Sequence, residues 1–294
     1  MEIVTARLAP IVAAASHRGT HPFLRGTAWI WNWGTGEPLS EFATVFDGMG
    51  RHALSPDGEF YVAANWRKGS AGGVACYSAR TGERVWHQTD LRQVQGIRFS
   101  PKGDKVWCYV EQRPVHCLDS VTGLVLAELR GVNEIVESAY SSGLTLQRRS
   151  SAFALVTNGA AREIPRVSFA MSDAVFSRDA LCLAEYSGPV RCFDCETGEE
   201  RWRYLPPRGC HVITLSYQDD DAFYGYLFGA AFPEAALLRF SPESGTCMEI
   251  CRYSLLERSG GQFGQAVFVA GNGDILSLLD GRIVRRLAFS MRED

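Results

Sequence analysis

Apolar residues along this chain fall into short bursts rather than long stripes. Segments such as GIRFS, KVWCYVE, VHCLD and LVLAEL alternate or run apolar over five to eight residues. Those lengths predict β-strands. No segment carries the sustained 3.6-residue stripe of an amphipathic helix. Turn signals separate the bursts. LSPDG (54–58) and FSPKG (99–103) have proline, a polar residue and a closing glycine in the order a type I turn accepts. FSRD (176–179) holds the same place further on, without proline or glycine.

A second turn counts the repeats. A short polar turn ends in Gly36, Gly82, Gly123, Gly159, Gly198, Gly245 and Gly281, each followed by a β-like run. The steps lie between 36 and 47 residues and average about 41, inside the range of four-stranded propeller blades. The unit reads strand A, SPDG-type turn, strand B, loop, strand C, Thr-Gly turn, strand D. Seven units predict an all-β chain, a single seven-bladed β-propeller with four antiparallel strands per blade. The expected blades are 1–45, 46–90, 91–132, 133–167, 168–207, 208–254 and 255–294. Such an arrangement leaves only short protected edges. Nothing in the sequence marks the N-terminal strand as completing the last blade. Closure is expected to rest on packing of the first and last blades.

Thr81-Gly82 is followed by Trp86, and Thr197-Gly198 by Trp202. With GNGDILSLLDGR (271–282), these segments resemble the quinoprotein-like (PQQ-like) and WD40 β-propeller repeats. The resemblance covers essentially the whole chain. Blades 4, 6 and 7 lack the Trp, and no Trp-Asp dipeptide ends a strand. It implies the fold and says little of activity, because propellers host many unrelated functions.

Composition narrows the class. Of 294 residues, 46% are apolar and 21% charged, as in a soluble globular protein. A net charge of −3 exerts no overall pull toward nucleic acid or membrane. The opening MEIVTARLAPIVAAASHRG lacks a basic n-region, and Arg7 interrupts its apolar stretches, so no secretory leader is expected. Nine cysteines at irregular spacing predict reduced, mostly buried thiols in a cytoplasmic protein.

Chemistry is weighed next. Cys192 and Cys195 form a C-x-x-C pair in CFDCETGEERWRY, but on a strand residues three apart point to opposite faces. They converge only if the strand has ended by Asp194. Cys247 and Cys251, four apart, are expected to share a face. Asp219, Asp220 and Asp221 fall on an expected A–B turn, where they read as solvated. His17 and His21 share a loop without a third ligand, and no G-x-S-x-G elbow is present. GGQFGQ (260–265) feeds a strand rather than a helix, so it is no phosphate cradle. No catalytic, cofactor-binding or metal residue is assigned, and the chain is read as no enzyme.

The loops carry an asymmetry. The B–C loops hold Arg18, Arg25, Arg67, Lys68, Arg113 and Arg149, with Phe23, Trp66, Phe228 and Phe232. Neighbouring D–A loops add Arg92, Arg130, Arg166 and Arg208. The opposite turns carry Glu37, Asp57, Glu59, Glu83, Asp104, Asp179, Glu199 and Glu200. Arginine with exposed aromatics is the composition of binding hot spots. The expected function is a protein-binding scaffold whose basic, aromatic top face meets an acidic partner surface. One concrete form, by fold-level analogy, is an immunity-type protein that neutralises a toxin. Single-stranded nucleic acid would use the same groups but is the second choice, and no membrane is expected. The rival is a propeller enzyme or ligand sensor with a metal, quinone or small molecule in the central funnel.

Overall fold

In the computed structural model, the only regular structure among the described residues is β-strand. The described residues are 2–6, 8–15, 26–32, 35, 37–46, 51–65, 72–91, 93–110, 113–139, 143–149, 152–157, 159–164, 167, 171–219, 221–229, 234–254, 261–263, 267–270, 274–277 and 283–286. Side chains are described up to residue 250, without 2, 3, 5, 213, 214, 216–219, 228, 234 and 235.

The strands form seven four-stranded antiparallel sheets, each from four consecutive strands. Sheet 1 holds β1 (Glu2–Thr5), β2 (Ile11–Ala15), β3 (Thr27–Asn32) and β4 (Glu37–Ala43). Sheet 2 holds β5 (Arg51–Leu54), β6 (Phe60–Asn65), β7 (Gly73–Ser78) and β8 (Arg84–Gln88). Sheet 3 holds β9 (Val94–Phe99), β10 (Lys105–Val110), β11 (Val115–Asp119) and β12 (Val125–Leu129). Sheet 4 holds β13 (Glu134–Ser138), β14 (Thr145–Arg148), β15 (Phe153–Thr157) and β16 (Ala160–Ile164). Sheet 5 holds β17 (Met171–Ser177), β18 (Ala180–Glu185), β19 (Val190–Asp194) and β20 (Glu200–Tyr204). Sheet 6 holds β21 (Cys210–Asp219), β22 (Ala222–Gly229), β23 (Glu234–Phe240) and β24 (Cys247–Ser254). Sheet 7 holds β25 (Gly261–Phe263), β26 (Val267–Ala270), β27 (Asp274–Ser277) and β28 (Ile283–Arg286). Thus β1 pairs within the first sheet, and among the described residues no strand is exchanged between the first sheet and the last.

The chain divides into two compact units, Met1–Glu134 with Arg285–Asp294, and Ile135–Val284. In each, the cores lie between successive sheets. In the first unit, Tyr61, Ala63, Ala75 and Tyr77 of sheet 2 pack with Ala13, Ala15, Ala28 and Ile30 of sheet 1. The alternate residues Val62, Ala64, Val74 and Cys76 pack with Val106, Cys108 and Leu118 of sheet 3. In the second unit, Leu181, Leu183 and Phe193 of sheet 5 pack with Leu146, Phe153 and Leu155 of sheet 4. Cys182, Ala184, Val190 and Cys192 pack the other way, with Val212, Phe223 and Phe240 of sheet 6. In sheets 2 and 5, strands B and C are covered on both faces. That is why they read as unbroken apolar runs instead of an inside–outside alternation.

The turns explain the glycine count. Gly82, Gly123, Gly159, Gly198 and Gly245 all have φ between +71° and +82°, a region L-residues with a Cβ rarely enter. Gly36 and Gly281 lie outside the described residues. In the turns of Gly82, Gly123, Gly198 and Gly245 the residue four before the glycine organises the turn. Asp194 Oδ1 accepts the Thr197 amide at 2.7 Å and the Glu196 amide at 2.9 Å, and its carbonyl accepts the Gly198 amide at 2.8 Å. Asp119 does the same for Val121, Thr122 and Gly123. Ser78 and Ser241 take this place in the turns of Gly82 and Gly245.

A repeated tie joins neighbouring sheets. Trp86 Nε1 donates to the Ser120 carbonyl at 2.8 Å, and Trp202 Nε1 to the Pro242 carbonyl at 2.9 Å. Each Trp pairs across its sheet with a cysteine, Cys76 and Cys192 respectively. The thiols donate to the same carbonyls, at 3.9 Å from Cys76 and 3.4 Å from Cys192. In sheet 1 the equivalent donor is Ser40, whose hydroxyl reaches the Ala79 carbonyl at 2.6 Å.

Candidate protein-binding surface

The C-x-x-C pair resolves as structure. β19 ends at Asp194, yet the two cysteines stay apart. Cys192 packs into the core shared with sheet 6, and Cys195 against the core shared with sheet 4. Desolvation by burial pushes the Cys195 thiol up to about 12, the opposite of a reactive thiolate. The expectation for Cys247 and Cys251 needs correction. A bulge between Leu237 and Leu238 sets Cys247 opposite Phe240 and Cys251 opposite Leu237, which breaks the alternation that would align them. Among the described residues, no three His, Cys, Asp or Glu side chains are grouped to hold a metal ion.

Of the ten residues expected on the top face, Arg18, Phe23, Arg25, Trp66, Arg67, Lys68 and Phe232 lie outside the described residues. Phe228 belongs to β22 and pairs with His211 of β21, so it is a strand residue and not part of the B–C loop. The apolar run AFYGYLFG carries the strand two residues beyond the expected loop start. Arg113 is exposed in the turn after β10, where its amide donates to the Val110 carbonyl at 3.1 Å. Arg149 is half-buried and turned toward its own sheet; its Nη2 donates to Gln147 Oε1 at 3.2 Å. Asp219 ends β21 and Asp221 precedes β22, so the acidic run does occupy the A–B turn of sheet 6.

The exposed apolar groups at this end of the second unit are ones the sequence did not single out. Tyr186, in the β18–β19 turn, is 61% exposed, and Leu205, just after β20, is 70% exposed. Leu205 is followed by Pro206 and Pro207, which hold the connection extended. The Cys210 amide donates to the Pro207 carbonyl at 2.9 Å, and Gly209 has φ +80°, which closes a tight turn with Arg208 at its corner. Arg208 is exposed. His211 follows, and its ring lies 5.0 Å from that of Tyr186 at 46°. Tyr186 is thereby set beside the turn that carries Arg208.

Beneath this end, sheet 5 is stiffened by ions. Arg191 is buried, its guanidinium 4.8 Å from the Phe193 ring centroid. It donates to Glu185 Oε1 at 3.2 Å and, through Nε, to Glu200 Oε2 at 2.8 Å. Arg203 donates to Glu200 Oε1 at 2.6 Å. Burial works to raise the Glu200 carboxyl, but the bonds from Arg203 and Arg191 outweigh it and leave it below its ordinary value. At the other end of the sheet, Arg201 donates to Asp179 Oδ2 at 2.7 Å and also binds Asp194. Much of the acidic end of sheet 5 is thus internally neutralised.

No protein-family model matches the chain, and no curated protein matches it in sequence. Solved structures do match. The chain is similar to BamB from Moraxella catarrhalis, with a TM-score of 0.58 and 17% identity over 99% of this chain and 85% of that one. It is similar to the C-terminal WD40 domain of Sif2, with a TM-score of 0.60 and 11% identity over 81% of this chain and 66% of that one. The fold is a β-propeller. The computationally designed Ika8 protein is also similar, with a TM-score of 0.61 and 16% identity over 96% of this chain and 85% of that one. Seven antiparallel sheets of four consecutive strands agree with the resemblance drawn from the Thr-Gly turns.

Proposed function

We propose that this propeller is a non-enzymatic scaffold that binds an acidic surface of another protein. The observation that carries the reading is the group at the loop end of sheets 5 and 6. There Tyr186 and Leu205 are left in solvent beside Arg208. A soluble protein gains nothing in stability from exposing such side chains, and Tyr with Arg is the composition that dominates binding energy. An immunity-type role, in which the partner is a toxin, is the concrete form proposed. Its support is analogy between folds.

The test is capture of partners from the native cell by the wild-type chain and by Arg208→Glu and Tyr186→Ala variants. A bound protein that both variants lose, and that high salt weakens, supports the reading. Capture unchanged by both variants overturns this surface. Capture of nucleic acid alone overturns the partner class. A stoichiometric metal or chromophore in the purified protein would favour the rival, an enzyme or sensor with its site in the funnel.

A further inference from the structure

Among the described residues, one pair of cysteines meets across a sheet. Cys182 of β18 and Cys192 of β19 are register partners, so their side chains leave the same face. Directly opposed residues have Cα atoms about 4.5–5.5 Å apart, inside the range of about 4.4–6.8 Å that a disulfide spans. Both thiols are free and fully buried in the core shared with sheet 6. Packing alone does not call for the pair. In sheet 2, Cys76 holds the place of Cys192, opposite a tryptophan and reaching a carbonyl of the next sheet. The residue on its other side is Val62. One thiol beside an aliphatic neighbour thus satisfies both the core and the tie. Cys182 is a second thiol that neither requires.

We propose that Cys182 and Cys192 are a reversible redox site, which a peroxide closes to a disulfide within the folded chain. One sulfur, as thiolate, attacks a peroxide oxygen; the O–O bond breaks, water leaves and a sulfenic acid remains. The second sulfur attacks the sulfenic sulfur, the S–S bond forms and a second water leaves. The pair gives up two electrons and two protons, and one hydrogen peroxide becomes two waters. A dithiol reductant reverses the step by exchange. Burial, and then the neighbouring Cys192, push the Cys182 thiol well above its ordinary value. A protonated thiol is a poor nucleophile, so closure is slow and waits on local opening of the seam. The site therefore answers sustained oxidant rather than a brief pulse. The bond staples the β18–β19 hairpin, whose turn carries Tyr186, and removes the Cys192 donor from the Pro242 carbonyl. The site does not depend on the loop surface proposed above and stands if that one fails.

The test is incubation of the folded wild-type chain with hydrogen peroxide, then alkylation, digestion without reductant and mass spectrometry. The expected product is a pair of peptides linked through Cys182 and Cys192, two hydrogens lighter than the free thiols and restored by dithiothreitol. It should form faster in urea below the unfolding midpoint. In the oxidised chain, amides of β18 and β19 should exchange more slowly. Cys182→Val copies the arrangement at Val62, so it should keep the circular dichroism of the wild type and yield no linked pair. If that variant does not fold, the wild-type map decides. No link in the folded chain, a link to Cys195 instead, or irreversible sulfinic acid at either cysteine would overturn the proposal.

Discussion

At the scale of single residues, Gly123 and Gly159 both have a positive φ between the third and fourth strands of their sheets, but in different turns and different surroundings. A Cβ on Gly123 would lie 2.6 Å from Trp86 Cδ2, whereas one on Gly159 meets nothing within 4 Å. Both have positive φ, +72° and +82°. Gly159→Ala should therefore cost only the left-handed backbone penalty, about 1–2 kcal/mol. Gly123→Ala adds the displacement of a packed indole, about 1–3 kcal/mol more. Urea midpoints of the two variants measure the difference, and equal losses would deny that the indole is held against the turn. Trp86→Phe tests the other half of the contact. It keeps an aromatic ring and deletes the donor to Ser120, so about 1 kcal/mol should be lost. The glycine and tryptophan could be read in the sequence as markers. The cysteine that pairs with each tryptophan could not, because Cys192 first meets the eye as half of a C-x-x-C. Only the strand register shows Cys76 and Cys192 in one repeated place.

At the scale of elements, the strands were legible because each is bounded by turn chemistry, and the binding surface was not. Tyr186 sits between a strand and Ser-Gly-Pro, and Leu205 before two prolines. Nothing in those contexts says whether an apolar side chain folds back or stays out; that depends on the neighbouring sheet. Phe228 failed in the opposite direction, since an aromatic beside Gly229 reads as loop while backbone pairing keeps it in β22. The turn of sheet 5 makes a prediction about acid. The hydrogen bond from Arg201, then the Thr197 amide, hold Asp194 down from 3.8 to about 2. A depressed carboxylate stabilises the fold fully above its unfolded value, and that stability is lost as pH falls through the folded one. Thermal stability should thus drop between about pH 4 and pH 2. Asp194→Asn keeps an oxygen for the turn amides but loses the charge pairing with Arg201. Its melting temperature should be a few degrees lower at pH 7 and fall less steeply across the acid window. Parallel acid profiles for variant and wild type would remove Asp194 from the account.

At the scale of the whole molecule, seven turn glycines predicted seven four-stranded sheets, because a unit repeated at near-constant spacing builds one supersecondary unit each time. The same repetition governs how damage should spread. Within each unit the described cores join a sheet to its neighbours, so stability is close to a sum of local terms and nearest-neighbour seams. Trp202 lies at one such seam. Its ring is stacked near those of Phe223 and Phe240, at 6.2 Å and 6.3 Å between centroids, and its Nε1 reaches the Pro242 carbonyl. Trp202→Ala removes both contacts and should cost about 3–5 kcal/mol at that seam. Native-state hydrogen exchange locates the loss. Amides of β18 to β20 and of β22 to β24 should exchange faster, while those of β1 to β12 keep their protection, because local opening follows cooperative units rather than the chain as a whole. Uniform acceleration across all seven sheets would show instead that the molecule opens as one cooperative body, and the nearest-neighbour description would fail.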